Sequence, residues 1–125
     1  MYRILLVGIG GFLGSAMRYI ISGWAVKAFE DYIPYGTLLV NVIGCFFMGF
    51  IMEVSVEIWP TSSELRVFLT TGLIGGFTTF SAFSYETMSL FSDGSIILAG
   101  ANVFLNLLLG CTAVWLGKSI AQLLA

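Results

Sequence analysis

What most limits this 125-residue chain is the length of apolar sequence between its charges. Residues 33–52, 67–85 and 94–117 contain no Asp, Glu, Lys or Arg, and residues 4–26 contain only Arg18. A helix needs about 20 mostly apolar residues to cross the hydrocarbon core of a bilayer, and each run is long enough. Spanning β-strands would be shorter and would alternate apolar with polar residues, which these runs do not. With their flanks, the predicted spans are 4–26, 33–52, 65–90 and 94–120, and 1–125 reads as one transmembrane domain with short loops. Hydrophobic residues make up 58% of the chain and charged residues 10%; a soluble globule this small cannot hide that much apolar surface. Disordered chains are apolar-poor and charge-rich, so disorder is excluded as well. The net charge of -2 argues for neither nucleic acid nor an acidic partner.

The start, Met1-Tyr2-Arg3 before an apolar run, has the outline of a signal peptide. Three more spans follow and no soluble domain does, so the run is read as the first membrane helix. Cys45 and Cys111 both fall inside spans and form neither a disulfide framework nor a zinc spacing. The absence of histidine removes most metal-dependent and acid–base enzyme sites, and no enzyme is expected.

Pro34 and Pro60 each sit just before a span. Thr61-Ser62-Ser63-Glu64 has capping-box spacing and is expected to start the third helix. Asp93, in the Ser92-Asp93-Gly94 turn, is expected to cap the fourth. Four spans place both termini on one side, with Arg3, Arg66 and Lys118; Arg18 and Lys27 lie opposite. Three against two is a weak bias under the positive-inside rule. Two readings stay open: one orientation with weak signals, or insertion both ways up. Gly10 and Gly14 form a GxxxG pair, and four helices make a thin bundle, so a homo-oligomer is expected. If both orientations insert, an antiparallel two-fold dimer closes naturally.

Polar groups at membrane depth are costly and usually face protein or water. On the second span, Asn41, Gly44, Cys45 and Met48 share one helical face, and Asn41 is either interhelical glue or a ligand group. On the fourth, Ser95, Ala99, Asn102, Asn106, Gly110, Ala113 and Gly117 recur at steps of four and three. A packing seam needs only the small residues; the two asparagines suggest a hydrated path or amide donors to an anion. On the third, Gly75-Gly76 and Thr78-Thr79 fall mid-span, where Leu or Ile would be ordinary. The helix is read either as interrupted near the bilayer midplane or as kinked at a tight crossing. An interrupted helix exposes carbonyls to a cation and N–H groups to an anion.

Phe80 and Phe83 follow at i, i+3, an ordinary core spacing. Their positive ring edges could also contact an anion without trapping it, as conduction requires. Arg18 follows 14 uncharged residues, a rise of roughly 21 Å, and so approaches the far interface, either snorkelling or attracting anions at a vestibule. Glu86 ends the third span in a pairing or a transport role. Gly8-Ile9-Gly10-Gly11-Phe12-Leu13-Gly14 is no dinucleotide fingerprint, because Leu13 breaks GxGxxG.

Three segments in order resemble the Fluc/CrcB family of fluoride channels over nearly the whole chain. They are Gly10-Gly11-Phe12-Leu13-Gly14-Ser15-Ala16-Met17-Arg18-Tyr19, Gly36-Thr37-Leu38-Leu39-Val40-Asn41, and Gly75-Gly76-Phe77-Thr78-Thr79-Phe80-Ser81-Ala82-Phe83-Ser84. The resemblance implies an all-α, dual-topology, antiparallel homodimer with two fluoride pores, in the cell (inner) membrane. It implies a structural Na+ at the dimer centre, held by the backbone carbonyls of Gly75 and Thr78. By the same match, Phe80, Phe83 and Asn41 line the pore, with Thr79 and Ser81 beside them. Asn102, Asn106 and Gly110 form its polar track, where relatives often carry hydroxyl residues. Arg18, Thr37 and Glu86 match vestibule or structural positions. The implied function is passive fluoride efflux. A small multidrug transporter, also four-helical and dual-topology, is the alternative, although it relies on a glutamate in helix 1 that this chain lacks. A non-transporting assembly subunit is a third.

Overall fold

A computed structural model describes residues 1–29 and 32–124. Among them there are helices and no strand: α1 (Tyr2–Ala28), α2 (Tyr35–Glu53), α3 (Ser63–Val67), α4 (Gly75–Phe77), α5 (Phe80–Ser92) and α6 (Ile96–Leu123). Two π-helical stretches join these, Val54–Ile58 after α2 and Phe68–Ile74 between α3 and α4. Four segments are long and apolar enough to cross a bilayer: Tyr2–Ala28, Tyr35–Ile58, Ser63–Ser92 and Ile96–Leu123. The 27 residues of α1 reach about 40 Å, more than the roughly 30 Å hydrocarbon core. Their outward faces stay apolar, with Phe12 72% and Ile97 87% exposed, a surface suited to lipid rather than water.

The helix starts differ from the expected caps by one or two residues. Ser62, not Thr61, caps α3, its hydroxyl accepting the Leu65 N–H at 3.3 Å. Asp93 does not cap α6, because the turn is built from the preceding helix. The Asp93 N–H returns to the Ser89 carbonyl and the Ser95 N–H to Leu90, each at 2.9 Å, while Gly94 adopts φ +81°. That left-handed geometry is one glycine reaches without steric cost, and it pushes the start of α6 to Ser95.

Two helix pairs carry most of the packing: α1 against the first half of the third span, and α2 against α6. Without a hydrophobic force between helices in lipid, close backbone approach supplies the contact energy. A Cβ on Gly10 would lie 2.8 Å from the Phe68 carbonyl oxygen, and one on Gly14 would strike the Leu73 carbonyl oxygen and the Phe77 nitrogen. The Gly10/Gly14 pair is therefore consumed inside the subunit, where the sequence reading had assigned it to an oligomer. Gly76 packs in the same way on the Gly11 carbonyl. On the other pair, Gly117 sits against the Phe46 carbonyl and Gly49 against that of Val114. The predicted small and polar stripe is the buried face of α6, with Ala99, Asn102, Gly110, Ala113 and Gly117 all buried.

Candidate functional site

Helical geometry stops at Phe77 and resumes at Phe80. Thr78 (φ -83°, ψ 161°) and Thr79 (φ -151°, ψ 116°) are extended. Gly75 itself is helical (φ -61°, ψ -37°), so the two glycines serve close packing and the two threonines carry the extended geometry. Two extended peptides at this depth release N–H and C=O groups that lipid cannot satisfy. Side chains take them up. The Thr79 N–H donates to Asn41 Oδ1 at 2.8 Å, and Asn41 Nδ2 donates to the Thr79 carbonyl at 3.1 Å. The Asn41 amide thus pairs with the Thr79 peptide much as a neighbouring strand would. Thr79 Oγ1 accepts the Ala82 N–H at 3.2 Å and starts α5. Arg18 Nη1 reaches the Thr78 carbonyl at 3.2 Å from α1.

A line of hydrogen bonds runs from Asn41 across α6. Asn41 Nδ2 donates to Asn106 Oδ1 at 3.3 Å, and Asn106 Nδ2 donates to the Asn102 carbonyl at 2.9 Å and to its Oδ1 at 3.2 Å. Asn102, wholly buried, donates to Thr87 Oγ1 at 2.9 Å, and Thr87 donates to the Phe83 carbonyl at 2.8 Å. Sequence reasoning missed Thr87. Its one signal is its place one helical turn beyond Phe83, on the side of α5 that meets α6.

Thr79 lines two recesses. One, of about 300 Å³, is bordered by Asn41, Phe80, Phe83 and Asn106, and by Gly44, Cys45 and Met48 of the predicted α2 face. The Phe80 and Phe83 ring centroids are 5.5 Å apart at a tilt of 50°, and Phe80 is 78% exposed within a single chain. The other recess, about 690 Å³, carries Arg18 and Lys27 with Ser15, Ser22 and Thr37. Ser81 lies within reach of Thr79, its hydroxyl 3.3 Å from Thr79 Oγ1. Gly110 is buried one turn along α6 from Asn106, facing Cys45, and lines neither recess.

Thr37 and Glu86 are drawn together: the buried Thr37 hydroxyl donates to Glu86 Oε1 at 2.7 Å. The other carboxyl oxygen, Oε2, is buried with no hydrogen-bond partner among the described residues. Thr37→Val should therefore lower stability by about 1–3 kcal/mol, because Oε1 would lose the Thr37 donor while remaining in place. The denaturation midpoint of the protein in detergent, with the slope unchanged, measures this; an unmoved midpoint would show the bond to be dispensable.

A second polar knot lies at the far end of α2. Glu53, 8% exposed, accepts from Gln122 Nε2 at 2.6 Å and pairs with Lys118 at 3.6 Å. It fastens α2 to α6 away from the interruption. Among the described residues, no group of three or more His, Cys, Asp or Glu side chains is placed to hold a metal ion.

The fold and this site together define a small multi-pass membrane protein that gathers amides, hydroxyls and two phenyl rings around the extended Thr78–Thr79 peptides, beside two open recesses that Thr79 lines. The chain belongs to the CrcB family: the model described as "CrcB-like protein, Camphor Resistance (CrcB)" matches residues 5–118. It is 48% identical over 122 residues to the fluoride-specific ion channel FluC of Clostridium perfringens strain 13, covering 96% of this chain and 94% of that one. It is 46% identical over 121 residues to FluC 3 of Methanosarcina barkeri (97% and 91% covered). With FluC of Geotalea uraniireducens the identity is 43% over 124 residues (99% and 100% covered).

Proposed function

We propose that this protein is a fluoride-selective channel of the cell (inner) membrane that lets fluoride leave the cytoplasm passively. It works as an antiparallel, dual-topology homodimer in which the third helix is broken near the bilayer midplane. The observation that carries the proposal is that Thr79 borders two recesses: a cationic one holding Arg18 and Lys27, and one bordered by Asn41, Asn106, Phe80 and Phe83. Relatives named as fluoride-specific channels cover nearly the full chain, which supports the same reading.

The chemistry follows from the ion. Fluoride is small and strongly hydrated, and a pore must replace its water with donors over several weak sites. The Arg18 and Lys27 charges raise the anion concentration at the mouth. At the interruption, an entering anion takes the place of Asn106 Oδ1 on the Asn41 Nδ2 donor, the longer of the two bonds that group makes. Phenyl edges at Phe80 and Phe83 then add attraction without a fixed charge. Asn102, Asn106 and the hydroxyls of Thr79 and Ser81 extend the donor line, and Gly110 continues the same face of α6 against Cys45.

The donor set also fits a structural sodium ion. Backbone carbonyls freed by an interrupted helix suit a hard cation. Here Gly75 lies on the exposed side of the third span, and the Thr78 carbonyl, which accepts from Arg18 Nη1 at 3.2 Å, keeps a second lone pair. Gly75 and Thr78 carbonyls from two copies would hold the ion. When bound, it supplies positive charge that ties the interrupted helices of both subunits together.

The test is fluoride release from liposomes carrying the purified protein, read with a fluoride electrode. Rapid release of fluoride with chloride retained is expected. Release of both anions at similar rates would remove selectivity, and movement of organic cations only against protons would favour a multidrug transporter.

A further inference from the structure

The geometry points to a second role for Asn41, that of a positioning residue which keeps the Gly75 carbonyl out of the helix and available to a cation. In a continuous α-helix the Gly75 carbonyl would accept from the N–H four residues on, that of Thr79. Here that N–H is 2.8 Å from Asn41 Oδ1 and donates there instead. The neighbouring bond in the register is intact: the Thr78 N–H still donates to the Ile74 carbonyl at 3.0 Å. Helical bonding therefore ends one residue before the Thr79 N–H, at the point where a side chain from α2 captures the donor. Asn41 also holds the Thr79 carbonyl at 3.1 Å, which fixes the extended peptide from both sides. Removing the amide would leave the Thr79 N–H without its acceptor, and the Gly75 carbonyl is the acceptor a regular helix would give it. An unsatisfied backbone pair there is costly, and closing the helix would satisfy it. The cation half of this inference rests on the sodium reading above; the positioning half rests on the two bonds alone.

Substitutions separate the acceptor role of Asn41 from its donor role. Asn41→Asp keeps an oxygen for the Thr79 N–H in either protonation state but gives up the amide donors. Asn41→Leu removes both, and Asn41→Ala removes both without added bulk should the leucine protein fail to fold. Full-length protein labelled at threonine, in lipid bilayers, would be read by solid-state NMR. The Cα and Cβ shifts of Thr79 are expected to be strand-like in the parent and in Asn41→Asp, and helix-like in Asn41→Leu and Asn41→Ala. Strand-like shifts in all four would overturn the positioning role. The second readout is the rise in melting temperature when N-methylglucamine is replaced by Na+. That rise is expected in the parent and in Asn41→Asp and should vanish in the other two. A parent protein indifferent to Na+ would overturn the cation half, while the NMR result still decides the positioning half. A full sodium response in Asn41→Leu with helix-like Thr79 shifts would disconnect the two. Asn41→Asp should slow fluoride release while keeping the sodium response; it is the loss of that response in Asn41→Leu and Asn41→Ala that a purely pore-lining asparagine does not predict.

Discussion

Replacing Phe80 with isoleucine should slow fluoride release by up to about tenfold while leaving the protein folded. Isoleucine keeps most of the apolar volume and removes the ring, so the comparison isolates the electropositive edge. Ring-edge contacts are worth about 0.5–1.5 kcal/mol, and the upper end of that range is about tenfold in rate. The fold should tolerate the change, because Phe80 is largely exposed in the single chain and its ring closes no interior space. Its partner ring at Phe83, 5.5 Å away, would lose a neighbour but keep its position on α5. Flux measured per reconstituted protein, with gel filtration as a check on assembly, distinguishes a slowed pore from lost protein. An unchanged rate would remove Phe80 from the path.

The second large effect concerns stability. Gly14→Val should destabilise the protein by about 3 kcal/mol or more, or prevent its folding. Overpacking an interior usually costs about 1–3 kcal/mol because side chains can shift. At Gly14 the obstructing groups are the backbone oxygen of Leu73 and the nitrogen of Phe77, which cannot rotate aside. The whole α1 contact with the third span would have to open. Gly8→Val is the control, since nothing lies within 4 Å of a Cβ there. Thermal denaturation of both variants in the same detergent reads the difference, and equal melting temperatures would refute the close crossing.

The four spans were legible because uncharged runs of membrane length have few other uses in a chain this short. The buried face of α6 was legible from its steps of four and three, which no lipid-facing helix needs. The site was half legible. Asn41, Phe80, Phe83, Asn102 and Asn106 stood out as polar or aromatic groups at unusual depth. What they touch did not, since Asn41 meets Thr79 across 38 positions of sequence. The extended geometry lies two residues beyond the central Gly-Gly pair for a related reason. Glycine only permits an interruption; a captured N–H makes one, and the captor sits on another helix. The GxxxG pair on α1 likewise announces a close crossing without naming the partner. The two π-helical stretches left no local mark, because they accommodate neighbours rather than follow from propensity. Glu53 follows directly on the second uncharged run, and its burial against Lys118 and Gln122 comes from the reach of α6.

The two glycine-clamped helix pairs have one more consequence. Each pair is locked by main-chain contacts that side-chain exchange elsewhere leaves alone, and the 300 Å³ recess draws its walls from both pairs, with Ile74 and Thr78 on one side and Met48, Leu107 and Val114 on the other. Val114 belongs to a clamp through its carbonyl, but the side chains of Met48 and Leu107, which set the calibre with it, take part in neither. Exchanging Met48 or Leu107 for a larger or smaller neighbour would retune the bore while the scaffold stays as it is, so throughput and robustness can drift independently as such a sequence evolves.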